Sequence, residues 1–146
     1  MNCTSRTSRV TTIRSCVSAG LELSFDRTVE QEFDAAHALR GYQGKCERLH
    51  GHRFQVAVTV QATKLDDIGL AYDFTRLKAH LAKVIGRFDH TSLNETPPFD
   101  TINPSSENIA ATVYAELKSL LGSAPVTLVS VTVWESPQSR VVYTPD

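Results

Sequence analysis

The chain has 146 residues, 41% hydrophobic and 21% charged, so it can bury one ordinary core without disulfide staples and is neither a disordered nor a collagen-like polymer. Fifteen Lys and Arg against sixteen Asp and Glu leave a net charge of −1, which offers no basic field for nucleic acid. No run approaches the roughly 18 uninterrupted apolar residues of a membrane-spanning helix, and the widely spaced Cys3, Cys16 and Cys46 read as thiols of a reducing, cytoplasmic compartment.

Residues 1–20 are rich in Ser and Thr, carry Arg6, Arg9 and Arg14, and contain no acid before Glu22. The composition is that of a transit peptide, but the periodic apolar face of one is missing, so a disordered extension is expected there. A single domain is expected over 21–146. Thr28 to His37 reads as a strand, with Val29, Phe33, Ala35 and His37 on one parity. A polar loop with Gly41 and Gly44 follows. His50 to Ala62 is the clearest strand, placing His50, His52, Phe54, Val56, Val58 and Val60 on one face. Asp73 is a good N-cap for a helix with apolar positions Phe74, Leu77, Leu81, Val84 and Ile85, ended by Gly86. A second helix is expected from about Ser105 to Leu121, on a stripe of Ile109, Val113, Leu117, Leu120 and Leu121. Val126 to Glu135 alternates again with Val129, Val131 and Val133 on one face, and a turn leads to a last strand near Arg140–Tyr143. The order ββααββ predicts an α+β domain, a four-stranded antiparallel sheet with two helices on one face.

Chemistry concentrates at the end of the first hairpin. In His50-Gly51-His52 a period of two puts both imidazoles on one strand face, and Gly51 leaves the opposite face open to bending or close approach. His37 arrives from the paired strand and completes a three-nitrogen set. Such a set suits a catalytic metal such as zinc, with a fourth position open to water or substrate, although the spacing alone does not fix zinc over iron or nickel. Cys46, flanked by Lys45 and Arg48, is either a thiolate acting as nucleophile or general base, or a fourth ligand closing a structural site. Asp89-His90 follows the first helix in a polar loop. Glu135 ends an apolar strand face with a carboxylate, which needs a partner there: an arginine, or the guanidine-like edge of a ligand. Glu107 suits the start of the second helix as a charge.

The segments FDAAHAL at 33–39, CERLHGH at 46–52, FDH at 88–90, NPSSEN at 103–108 and VTVWES at 131–136 resemble, in order, the 6-pyruvoyltetrahydropterin synthase family. Three residues separate Cys46 from His50, which is similar to the bacterial 6-carboxy-5,6,7,8-tetrahydropterin synthases of queuosine biosynthesis. The resemblance implies the tunnelling fold, in which three copies close a barrel and two trimers stack into a homo-hexamer. It implies a small-molecule pterin substrate, 7,8-dihydroneopterin triphosphate, cleaved by a zinc-dependent lyase to the carboxy-pterin, acetaldehyde and triphosphate. His37, His50 and His52 would hold Zn2+, Cys46 would move protons on the substrate side chain, and Asp89 and His90 would relay them. Glu135 would grip the amino-pyrimidine edge, and Ser106 and Glu107 would line its pocket. Two other readings stand beside this one. One is the sister reaction, triphosphate elimination to the pyruvoyl-pterin; the other is a non-catalytic metal- or pterin-binding module.

Overall fold

A computed structural model describes residues 23–145, so the expected extension over residues 1–20 lies outside the described residues. Strands β1 (Phe25–His37) and β2 (His50–Ala62) form an antiparallel hairpin whose register runs unbroken from Phe25 opposite Ala62 to His37 opposite His50. Strand β1 begins three residues before the expected Thr28, because Phe25 to Arg27 still find partners on β2. The shared register puts Val29 beside Val58 and Phe33 beside Phe54, so both apolar parities face the same side.

Strand β4 (Thr127–Ser136) pairs with β2, and β5 (Ser139–Tyr143) pairs with β4, both antiparallel. A fifth strand, β3 (Thr91–Ser92), lies parallel to β1 at Ala35 and Ala36, giving the order β3-β1-β2-β4-β5 instead of the expected four strands. Two residues are too few to show periodicity. They are drawn to β1 by the His90 N–H, which donates to the Asp34 carbonyl at 2.6 Å.

Helix α1 (Phe74–Ile85) starts at Asp73, whose Oδ1 accepts from the Thr75 N–H at 2.7 Å, and buries Leu77, Leu81, Val84 and Ile85. Phe74, expected in that apolar set, is instead 44% exposed, and the Arg27 guanidinium lies 3.6 Å above its ring centre. Gly86 ends the helix in a right-handed conformation. A Cβ there would stand 2.8 Å from the Ala82 carbonyl oxygen, so the close approach excludes a side chain. Helix α2 (Ser106–Leu121) is capped by Ser105 and buries Ile109, Ala110, Val113, Tyr114, Leu117 and Leu121. Among the described residues no helix is long and apolar enough to cross a membrane.

The core lies between the helices and the sheet, with Phe54, Val56, Val58, Val60, Leu77, Leu81, Phe88 and Phe99 fully enclosed. Each such side chain contributes about 1.5–3 kcal/mol by leaving water. In the sheet, too, one expected core position fails. In β4 the register slips between Thr59 and Val60, so Val129 is the extra residue of a β-bulge and Leu128 takes the core face in its place. A second slip at the β4–β5 edge passes over Glu135, between the pairs Trp134–Arg140 and Ser136–Ser139.

Candidate metal and substrate site

The loop end of the β1–β2 hairpin gathers three imidazoles by register alone. His37 and His50 are directly opposed and His52 follows two residues on, so all three project from the core face. Their ring centres are 4.6 Å (His37–His50), 4.8 Å (His50–His52) and 5.2 Å (His37–His52) apart. Phe54, the next residue of that face, meets the rings of His37 and His52 edge-on at 5.3 and 5.6 Å and forms the apolar floor. The ligand atoms of His37, His50, His52 and Glu135 all lie within 4.8 Å of one another.

Hydrogen bonds choose the free nitrogens. His37 Nδ1 is 2.7 Å from the Pro104 carbonyl and His50 Nδ1 is 2.6 Å from the Arg48 carbonyl. A carbonyl only accepts, so both rings carry the proton on Nδ1 and turn a bare Nε2 inward. Nε2 of His37 is buried without a partner in a residue only 1% exposed. Nε2 of His52 stands 3.3 Å from Glu135 Oε1 but out of line for a hydrogen bond, and it too lacks one. Burial pushes the pKa of His37 below the usual histidine value, outweighing the opposing pull of the Pro104 carbonyl. Burial does the same for His52 against the attraction of Glu135. At His37 and His52 burial favours the neutral ring and leaves Nε2 unpartnered, the form in which histidine binds a metal, and with His50 beside them the donor set fits a zinc-type ion.

Within the chain Glu135 is partnered by Ser106 and His52, not by an arginine. Ser106 Oγ donates to its Oε2 at 3.0 Å while Oε1 turns to His52. Glu135, Ser106 and Glu107 line a cavity of about 270 Å³ with Leu39, Ser139 and Arg140, so the residues expected around a pterin share one recess. Cys46 sits half-buried in a single 3-10 turn, Lys45–Glu47, and is not in the metal-binding group; a carboxylate stands where a fourth thiolate ligand was an alternative. Gly51 allows no unusual approach: a Cβ would meet only the Ala35 carbonyl oxygen at an ordinary 3.8 Å.

Asp89 and His90 form a second cluster, with Asp34, rather than joining the histidines. Asp89 Oδ1 accepts from the Asp34 N–H at 2.9 Å and lies 2.9 Å from His90 Nδ1. The Asp34 N–H, with a further contribution from His90, holds the Asp89 carboxyl below its ordinary pKa. His90 adopts a left-handed backbone, φ 58°, with its side chain 77% exposed. Asp34 itself is gripped by Arg53 through Nε and Nη2 at 3.0 and 3.3 Å. Sequence reasoning missed Asp34 as part of this cluster. Its signal was modest: an acid off the core parity, level with an arginine on the paired strand.

The model of the 6-pyruvoyl tetrahydropterin synthase family matches residues 27–146. A Bacillus subtilis protein named 6-carboxy-5,6,7,8-tetrahydropterin synthase is 36% identical, over 84% of this chain and 86% of its own length. A Synechocystis protein of the same name is 40% identical over 61% of this chain and 71% of its own. Among solved structures, the Caenorhabditis elegans 6-pyruvoyl tetrahydropterin synthase superposes with a TM-score of 0.76 at 28% identity, covering 85% of this chain and 97% of that one. A hairpin of converging histidines on a sheet backed by two helices, matched along nearly the whole described chain, places this protein in the 6-pyruvoyl tetrahydropterin synthase family.

Proposed function

We propose that this chain is a zinc-dependent carbon–carbon lyase that converts 7,8-dihydroneopterin triphosphate and water to 6-carboxy-5,6,7,8-tetrahydropterin, acetaldehyde and triphosphate. The observation that carries this reading is the 36% identity, over most of both chains, to a protein bearing that name. In this reading His37, His50 and His52 hold the metal through Nε2. Zinc held there would supply Lewis acidity toward the oxygens of the substrate side chain. Glu135 holds the amino-pyrimidine edge, where two parallel N–H···O bonds suit a carboxylate. Ser106, which already donates to that carboxylate, fixes its plane, and Glu107 lines the same recess. Cys46 takes a proton from the side chain and His90, oriented by Asp89, returns one. Because Asp89 and His90 stand in a cluster apart from the histidines, the relay is completed between copies in a homo-hexamer. Closure of three copies into a barrel would also remove the outer edges of the sheet at β3 and β5. The product feeds deazapurine synthesis of the queuosine type in the cytoplasm.

The sister reaction, triphosphate elimination to the pyruvoyl-pterin, is the second reading, favoured by the name of the Caenorhabditis elegans structure. Incubation of the zinc-loaded protein with 7,8-dihydroneopterin triphosphate, with mass spectrometry and acetaldehyde trapping, separates them. The lyase yields carboxy-pterin with acetaldehyde. Pyruvoyl-pterin without acetaldehyde would establish the sister synthase instead, and no turnover with retained pterin binding would leave a binding module.

A further inference from the structure

We infer that Arg40, Asn94 and Asn103 are positioning residues of the histidine cluster: they clamp the loop ending at Pro104 onto the chain leaving His37, and so keep His37 in the tautomer that bares Nε2. The inference rests on the metal reading above.

Beyond His37 the chain has no strand partner, since β3 ends at Ser92 opposite Ala36. Two side-chain amides continue the ladder. Asn94 accepts from the Ala38 N–H through Oδ1 at 2.8 Å and donates to the Ala38 carbonyl through Nδ2 at 2.8 Å. Asn103 does the same for Arg40, at 2.8 and 2.9 Å. Each amide mimics a peptide group, which only Asn or Gln can do with one donor and one acceptor in a fixed plane. The Arg40 guanidinium then closes the loop from inside, donating to the carbonyls of Phe99 at 2.8 Å and of Asn94 and Ile102 at 3.1 Å. From the first turn of α2, Asn108 Nδ2 donates to the Asn103 carbonyl at 2.8 Å.

The outcome is the placing of one atom. The Pro104 carbonyl, next in sequence to Asn103, accepts from His37 Nδ1. Both ends of that bond are thereby tied to each other: His37 through Ala38 and Arg40, Pro104 through Asn103. A carbonyl displaced by about an ångström would no longer hold the proton on Nδ1, because hydrogen bonds weaken steeply with length and misalignment. His37 would then exchange tautomers and spend part of its time with a protonated, non-ligating Nε2.

The test compares the full-length wild-type chain with Asn103→Ala. In the metal-free proteins, the ring nitrogen resonances of His37 report its tautomer by NMR. In the zinc-loaded proteins, competition with a chelator reports affinity. Asn103→Ala is expected to mix the tautomers and weaken zinc roughly 10–100-fold, the usual cost of losing support behind a ligating histidine. Asn103→Asp keeps the acceptor for the Arg40 N–H but lacks the donor, and recovers part of both. Tyr114→Phe removes a buried hydrogen bond to the Leu128 carbonyl outside this network and is expected to lower stability while moving neither readout. An unchanged tautomer and zinc affinity in Asn103→Ala, or equal losses in Tyr114→Phe, overturns the inference. Asn94→Ala reads the same two quantities if Asn103→Ala does not fold. A wild-type chain that takes up no zinc while Asn103→Ala still mixes the tautomers overturns the metal reading and supports the positioning role.

Discussion

The two clusters of titratable groups differ in where their hydrogen bonds go. The imidazoles of His37, His50 and His52 project from strands onto the end of the core, and the Nδ1 atoms of His37 and His50 bond to backbone carbonyls. Asp89 and His90 sit on a loop at the sheet edge, open to water, and bond to each other and to the backbone of Asp34. The first cluster is pre-aimed and, at His37 and His52, desolvated enough to favour the neutral ring, as a metal requires; the second stays hydrated and keeps its carboxylate ionised, as proton exchange requires. In the proposed reading, burial more than residue type separates the histidines that would ligate a metal from the one that would shuttle protons.

The sharpest way to break that contrast is to remove one side of it. His50→Ala, or treatment of the protein with a chelator, is expected to abolish stoichiometric zinc by elemental analysis and to cost on the order of 10³-fold or more in turnover. His90→Ala and Cys46→Ala are expected to keep full zinc content while losing roughly 10²–10⁴-fold in kcat. Loss of zinc in Cys46→Ala would return the thiol to the ligand set. Phe54, fully buried beneath the histidines, joins the metal end to the core. Phe54→Ala is expected to cost about 3–5 kcal/mol by urea denaturation and to weaken zinc at the same time.

A gentler handle is pH. His37 and His52 have folded-state pKa values below the unfolded histidine value of 6.5, chiefly through burial. Below 6.5 the unfolded chain therefore binds more protons than the folded one. Their contribution to stability is present above 6.5 and is lost as pH falls through the lowered folded values. The Tm of metal-free protein is expected to drop across that acid window, and His37→Phe to flatten the drop. The smallest effect is expected at Asp73→Ala, about 1 kcal/mol of stability through the lost helix cap, with zinc content and kcat unchanged.

Much of the site was legible because strand geometry turns spacing into position. A period of two puts His50 and His52 on one face, and the hairpin brings His37 to them without any long-range search. The helices were equally plain, since Asp73 and Ser105 are capping residues placed before apolar stripes. Phe74 misled because an aromatic at an apolar helical position can be covered by an arginine instead of the core. Val129 misled because a β-bulge reverses parity, and nothing in alternating valines marks where a partner strand will slip.

By itself the amino-acid order determined the α+β class, the paired strands and helices, the three converging histidines and the acid at the end of the last long strand. Those follow from local periodicity and capping, which act over a few residues. Tertiary structure alone decided that the Pro104 carbonyl bares Nε2 of His37, that Glu135 turns to Ser106 and His52, and that Asp34 anchors Asp89 and His90. Backbone carbonyls carry no residue identity, and contacts 29 to 83 residues apart form only once packing has fixed which segments meet.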